Sequence, residues 1–215
     1  MNVPKKSGIV FVIAGAVLIL SALSLFFYNQ NEDAQAGQEA ENQLNDVQAV
    51  IQEKEETQPA ETLAPEIPVT EIDGYEYVGY LSIPKLELEL PVMSERDYAR
   101  LKIAPCRQFG SSRTDDLVIA AHNYKNHFGR LSQLESGDAI AITDMDGIEN
   151  KYEVILIDTL APDEVEAVQN SGYDLVLYTC TYGGKTRVTV FCDRQEGAAS
   201  PALDEKPGDV SSPLQ

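Results

Sequence analysis

Leu175-Val176-Leu177-Tyr178-Thr179-Cys180, then Thr181-Tyr182-Gly183-Gly184-Lys185, then Arg187-Val188-Thr189-Val190-Phe191-Cys192: this stretch decides the fold. Two apolar runs of strand length, rich in β-branched and aromatic residues, flank a short segment containing Gly183-Gly184, so the stretch reads as the last two strands joined by a short loop. Period two puts Val188, Val190 and Cys192 on one face and Arg187 and Thr189 on the other. The same texture continues upstream. Tyr77, Val78, Gly79, Tyr80, Leu81 and Ile83 make an opening strand; after Pro84, Leu86, Leu88 and Leu90 alternate with Glu87 and Glu89, the pattern of a half-buried strand. Residues 117–121 are another apolar run. Gly137-Asp138 punctuates before residues 139–143 and Asp146-Gly147 before residues 152–157, which predicts a hairpin. Helical signals are few. Ser94, Glu95, Arg96 and Asp97 form a capping-box pattern opening a short helix over 97–102, and residues 163–169, between Pro162 and Gly172, read as one or two helical turns. Many short strands with few helices predict a mainly β domain over residues 74–196, a small and mostly antiparallel barrel or sandwich.

Outside that domain the composition changes. Residues 197–215 are largely Ala, Ser, Pro, Gly and Asp without periodicity and are expected to be disordered. Residues 29–73 carry Glu39, Glu41, Glu53, Glu55 and Glu56 among other carboxylates, one base, Lys54, and Pro59, Pro65 and Pro68 near their end. They read as an acidic flexible linker, although Leu44, Val47 and Ile51 stand at helical spacing and allow a short amphipathic helix. Residues 8–28 contain no charge, and at about 1.5 Å per residue a helix of that length covers the roughly 30 Å hydrocarbon core of a bilayer. Lys5 and Lys6 before the run and carboxylates after it place the tail, residues 1–7, in the cytoplasm and everything beyond residue 30 outside. A cleavable signal peptide with Ala34-Gln35-Ala36 as its small-x-small site is the rival reading, but its apolar region should be only about 7 to 15 residues. An uncleaved transmembrane anchor is the expectation.

The chain has 215 residues, 43% of them hydrophobic, which suits one core with extensions. A formal net charge of −19 argues against nucleic acid as a partner, because phosphate binding needs clustered Lys and Arg that release counterions. The three cysteines, Cys106, Cys180 and Cys192, cannot all pair within one chain, so at least one thiol is free in an oxidising compartment. Cys192, on the face of Val188 and Val190, reads as a small core hydrophobe. Cys180 ends an apolar strand, His122 follows another, and Arg187 begins the strand beyond a short loop. A thiol becomes a strong nucleophile as thiolate, and acyl transfer needs donors where the oxyanion forms, so the three are a candidate nucleophile, acid–base and charge donor. Plain alternatives stand beside this: a core histidine satisfied by a carbonyl, and an arginine paired with a surface carboxylate. His127, in a polar loop before Phe128-Gly129-Arg130, reads as a surface or loop-packing residue. Asp144, Asp146, Glu149 and Asn150 crowd one turn, but their spacing does not match an EF-hand loop and Asp-Gly is an ordinary hairpin turn, so neither metal nor cofactor is expected.

These residues carry a family resemblance. Leu177-Tyr178-Thr179-Cys180 resembles the end of the sortase signature T-L-x-T-C, Ala121-His122-Asn123 is similar to the family's histidine segment, and Arg187-Val188-Thr189-Val190 resembles the strand bearing its arginine. The opening strand through Leu90-Pro91-Val92 also looks like the first strand of these domains, so the resemblance spans residues 77 to about 194. It departs at Val176, where the signature has its first Thr, and at Ala121, commonly Gly. The resemblance implies an eight-stranded sortase-type β barrel and a cysteine transpeptidase acting on a Leu-Pro-x-Thr-Gly sorting signal of a surface protein or pilin. Cys180 would attack the Thr carbonyl, His122 would shuttle the proton, Arg187 would donate to substrate and oxyanion, and Thr179 would add a substrate contact. The acceptor would be an amine, on a peptidoglycan precursor or a protein lysine. Two other classes remain: a cysteine transpeptidase acting directly on peptidoglycan, and a non-enzymatic tethered binding module on a β scaffold.

Overall fold

A computed structural model of the chain describes residues 5–57, 64–164, 168–169 and 171–195. Among these are one long helix, α1 (Lys5–Thr57), and nine strands: β1 (Thr70–Ile72), β2 (Tyr75–Ile83), β3 (Leu88–Met93), β4 (Cys106–Phe109), β5 (Leu117–Ala121), β6 (Ala139–Asp144), β7 (Glu149–Leu160), β8 (Leu175–Cys180) and β9 (Arg187–Arg194). The strands follow the order β1-β2-β3-β4-β5-β8-β9-β7-β6, and β6 pairs back onto β2, so β2 to β9 close an eight-stranded barrel. The ninth strand, β1, is a short addition to the start of β2. Closure depends on Gly79: its φ is 138°, and a Cβ there would lie 1.9 Å from the Thr143 carbonyl oxygen. Only glycine permits that approach of β2 to β6.

Strand alternation sorts the side chains as period two dictates. Leu117, Ile119, Leu175, Leu177, Val190 and Cys192 fill the interior, whereas Val118, Val176 and Phe191 form a separate outer cluster with Phe109, Leu160 and Tyr178. The hairpin expected around Asp146-Gly147 is present as β6 and β7, with Ala139 opposite Glu153. β7 runs longer than its apolar segment because a bulge between Val154 and Leu156 bends it along β9. The helix expected at 97–102 is a single 3-10 turn, Arg100–Lys102, preceded by Asp97, whose Oδ1 accepts from the Arg100 amide at 2.8 Å. Ser94, expected to cap it, instead donates to Glu76 at 3.1 Å. Of the helical turns expected at 163–169, Val168 and Gln169 are helical, whereas Asp163 lies in a turn and Glu164 in no regular element; residues 165–167 and the tail from 196 lie outside the described residues.

The flexible linker is corrected over most of its length, since α1 continues without a break to Thr57. Ala36, Ala40, Leu44, Val47 and Ile51 recur every three or four residues and are buried, while Glu39, Glu41, Glu53, Glu55 and Glu56 face solvent. Val47 and Ile51 pack on Tyr77, Met93, Ala104 and Cys106, an apolar patch outside the barrel interior. At that face the Tyr77 hydroxyl donates to Gln43 at 2.5 Å. Gly37 lets the helix come closest: a Cβ there would meet Asn126 at 2.7 Å, and Asn126 donates its amide and side chain to Asp33. The residues are mostly good helix formers, so docking had only to add a few buried contacts to make the segment helical. Past the helix, Ile67 plugs into the main core, and the carbonyls of Ala64 and Pro65 accept from Arg113 and Ser111.

Candidate active site

β5 and β8 run parallel, with Ala121 opposite Thr179. The next residues, His122 and Cys180, therefore emerge side by side where both strands end. β8 and β9 run antiparallel, with Cys180 opposite Arg187. Strands in a sheet are about 4.8 Å apart and paired residues share a face, so three adjacent strands deliver His122, Cys180 and Arg187 to one face of one rim within roughly 10 Å. It is the outer face, opposite the side chains that fill the core, as the alternation of Arg187 and Thr189 against Val188 and Val190 required. The three residues proposed to react are thus assembled by pairing between segments far apart in the chain.

The cysteines separate by environment. Cys180 is partly exposed, whereas Cys106 and Cys192 are buried, and all three are free thiols. Burial pushes the Cys106 thiol up to about 12 and raises that of Cys192 as well, so neither forms a thiolate near neutrality. Cys192 takes its expected core place; Cys106 lies under α1.

His122 is flanked by Tyr98, edge-on with ring centroids 5.5 Å apart, and by Tyr124 at 5.0 Å. Its Nε2 is buried without a hydrogen-bond partner. Burial lowers its pKa below the usual histidine value, Lys102 lowers it further and Glu32 partly opposes them. The ring is therefore neutral near pH 7 and can accept a proton. Arg187 curls over the β8–β9 loop, Nη1 donating to the carbonyls of Gly184 at 3.1 Å and Thr186 at 3.0 Å. A guanidinium carries five N–H donors, so these bonds fix its position without exhausting it.

Thr179 does not sit where a substrate contact was expected. Its side chain is buried, and its hydroxyl donates to the Ala121 carbonyl at 2.8 Å, across the β5–β8 seam and one residue before His122. Sequence reading also missed the groove beside Arg187, walled by Phe109, Leu160 and Pro162, with Arg96, Gln108 and Tyr178 as its polar members. The Tyr178 hydroxyl donates to Gln108 at 3.0 Å. Tyr178 was discoverable, because period two from Cys180 puts it on the reacting face. Arg96 was concealed in an apparent cap. His127 is fully buried under α1, its ring 5.5 Å from Tyr124, and desolvation brings it down to about 4, so it packs the loop as a neutral ring. The crowded carboxylates have protein partners: Asp144 and Asp146 both pair with Arg113, and Asp146 also with Lys54.

Known proteins resemble this chain over most of the barrel. The chain is 29% identical over 157 residues to sortase A of Bacillus anthracis, covering 70% of this chain and 72% of that protein. The crystal structure of sortase C1 from Streptococcus agalactiae superposes with a TM-score of 0.51 at 28% identity, over 59% of this chain and 72% of that one. A sortase D5 transpeptidase of Clostridium perfringens shares the fold, with a TM-score of 0.56 at 19% identity over 74% of this chain and 99% of that one. The sortase-domain family model matches residues 81–195, from β2 to the end of β9 and more than half of the chain. The chain belongs to the sortase family, whose members are transpeptidases.

Proposed function

We propose that this sortase cleaves a Leu-Pro-x-Thr-Gly-type sorting signal between Thr and Gly and transfers the acyl group to an amine, with Cys180 as nucleophile, His122 as acid–base and Arg187 as donor to the oxyanion. The observation carrying this reading is the register β5–β8–β9, which brings a partly exposed thiol, a neutral imidazole and a guanidinium to one rim. In the first step the Cys180 proton passes to His122, sulfur bonds to the Thr carbonyl carbon, and the Thr–Gly C–N bond breaks as His122 returns the proton to the leaving amine. In the second, an incoming amine bonds to that carbon, gives its proton to His122, and the C–S bond breaks to regenerate the thiol. In both tetrahedral intermediates Arg187 offers charge-assisted hydrogen bonds to the oxygen. The adjoining groove, apolar at Leu160 and Phe109, suits the Leu-Pro end of such a signal.

The substrate is a surface protein or pilin, and the acceptor is a peptidoglycan-precursor amine or a protein lysine. Residues 8–28, exposed and apolar in α1, are the membrane anchor, with the N-terminus cytoplasmic and the barrel outside. Mass spectrometry of the protein with a Leu-Pro-x-Thr-Gly peptide tests the reading. The expected result is an acyl adduct on Cys180 with loss of the Gly fragment; an unmodified Cys180 alongside cleavage of a muropeptide would reassign the substrate.

A further inference from the structure

The long helix relates the barrel to the anchor in a definite way. α1 is continuous from the apolar segment into the domain, so position along it measures height above the bilayer. Phe26, inside the apolar segment, lines the same cleft as Glu32, His122 and Tyr182. Glu32 is four residues past Tyr28, a rise of only about 6 Å. At the other end, Lys54 pairs with Asp146 and Glu55 packs against Gly147, in the β6–β7 turn. Lys54 stands 26 residues beyond Tyr28, about 39 Å farther along the helix axis. The two ends of the barrel are therefore unequal: the end carrying His122 lies beside the end of the apolar segment, and the β6–β7 turn lies away from it.

The surface of the near end suits such a neighbour. Tyr182 is 92% exposed and Tyr98 71% exposed, with Lys102 over the Tyr98 ring at 5.4 Å. Lys125 and Lys185 are exposed on the loops beside them. Tyrosines with lysines around them are the composition of a membrane interface, where rings sit at headgroup level and ammonium groups reach anionic phosphates. Of the carboxylates at this end, Glu32 accepts from Tyr28, Asp33 accepts from Asn126, and Glu95 and Asp97 beside Tyr98 pair with Arg100.

We propose that α1 is a rigid strut that holds the His122–Cys180–Arg187 end of the barrel down on the anionic headgroup layer, with Tyr98, Tyr182 and the neighbouring lysines as the contacting surface. This rests on the membrane-anchor reading of residues 8–28. Its consequence is that the reacting rim works at the height of the headgroup layer and not in the space beyond the β6–β7 turn.

The test uses the full chain carrying Cys180→Ala, reconstituted in phosphatidylglycerol vesicles containing a lipid with a nitroxide on its headgroup. A bimane fluorophore is placed on Tyr182→Cys or, separately, on the exposed Glu149→Cys at the far end. Quenching several-fold stronger at position 182 than at 149 is expected. A Gly-Ser-Gly-Ser-Gly-Ser insertion between Tyr28 and Asn29 should abolish the difference while the chain still floats with the vesicles. Equal quenching at both positions without the insertion, or a difference that survives it, overturns the strut. A chain that fails to float with vesicles overturns the anchor itself, a separate result. No arm of the experiment depends on transpeptidase activity.

Discussion

Thr179 offers the sharpest test of how the site is held, because two substitutions dissect its side chain. Thr179→Val keeps the shape and removes the hydroxyl that donates to the Ala121 carbonyl at 2.8 Å. The site is 2% exposed, so water does not replace the lost donor, and the expected cost is about 1 to 3 kcal/mol. A change of 1 kcal/mol shifts Tm by about 2 to 8 °C for domains of this size range, which thermal unfolding monitored by circular dichroism resolves. Thr179→Ser keeps the hydrogen bond and loses one buried methyl, worth about 1 kcal/mol. The two variants are thus similar in stability but should differ in turnover. The Ala121 carbonyl belongs to the peptide unit leading directly into His122, so loosening it lets the imidazole drift from the thiol. In transpeptidation of a Leu-Pro-x-Thr-Gly peptide, Thr179→Val should lower kcat with little change in KM, and Thr179→Ser should retain most of it. Wild-type kcat in Thr179→Val, or a loss in Thr179→Ser as large as in Thr179→Val, would refute a positioning role for this hydrogen bond.

In native protein, iodoacetamide should modify Cys180 alone, with Cys106 and Cys192 reacting only after unfolding; Cys180→Ala should abolish turnover while Cys106→Ala retains it, as peptide mapping and rate assays would show. Arg187→Lys keeps the charge but replaces a planar fork with a point donor, so kcat/KM should fall by about 10² to 10³ with the domain still folded, and turnover near wild type would return Arg187 to a surface role. Burial alone would raise the Asp146 carboxyl, but Lys54 and Arg113 bring it net below the usual aspartate value. A depressed folded-state pKa gives stability that is present above the ordinary value of about 3.9 and lost as pH falls through the folded one, so Asp146→Asn should flatten the acid limb of a Tm-versus-pH curve.

What could be read in the sequence was local, and the parts that escaped were pairings. Two-residue alternation in 187–192 places Arg187 and Thr189 opposite Val188, Val190 and Cys192, because strand geometry alone determines it within one strand; that Cys180 shares the face of Arg187 follows from their pairing. No local rule joins β5 to β8, however: Thr179 and Ala121 are 58 residues apart, and a parallel pairing leaves no turn signature between its strands. The sortase resemblance supplied that juxtaposition where periodicity could not. α1 failed for the complementary reason. Leu44, Val47 and Ile51 are visible as a short stripe at helical spacing, yet the buried face runs farther along the helix, because Ala36, Ala40 and Gly37 contribute by being small. A narrow apolar face suffices when the surface opposite, here Tyr77, Met93 and Cys106, is apolar and close. The same docking explains His127, which looks polar in its loop but is covered once α1 lies across it. Whether a residue is a linker, a loop or a wall of the site was decided by what folded against it. The helix that hid this from sequence reading is also the element that sets Glu32 and Phe26 beside His122.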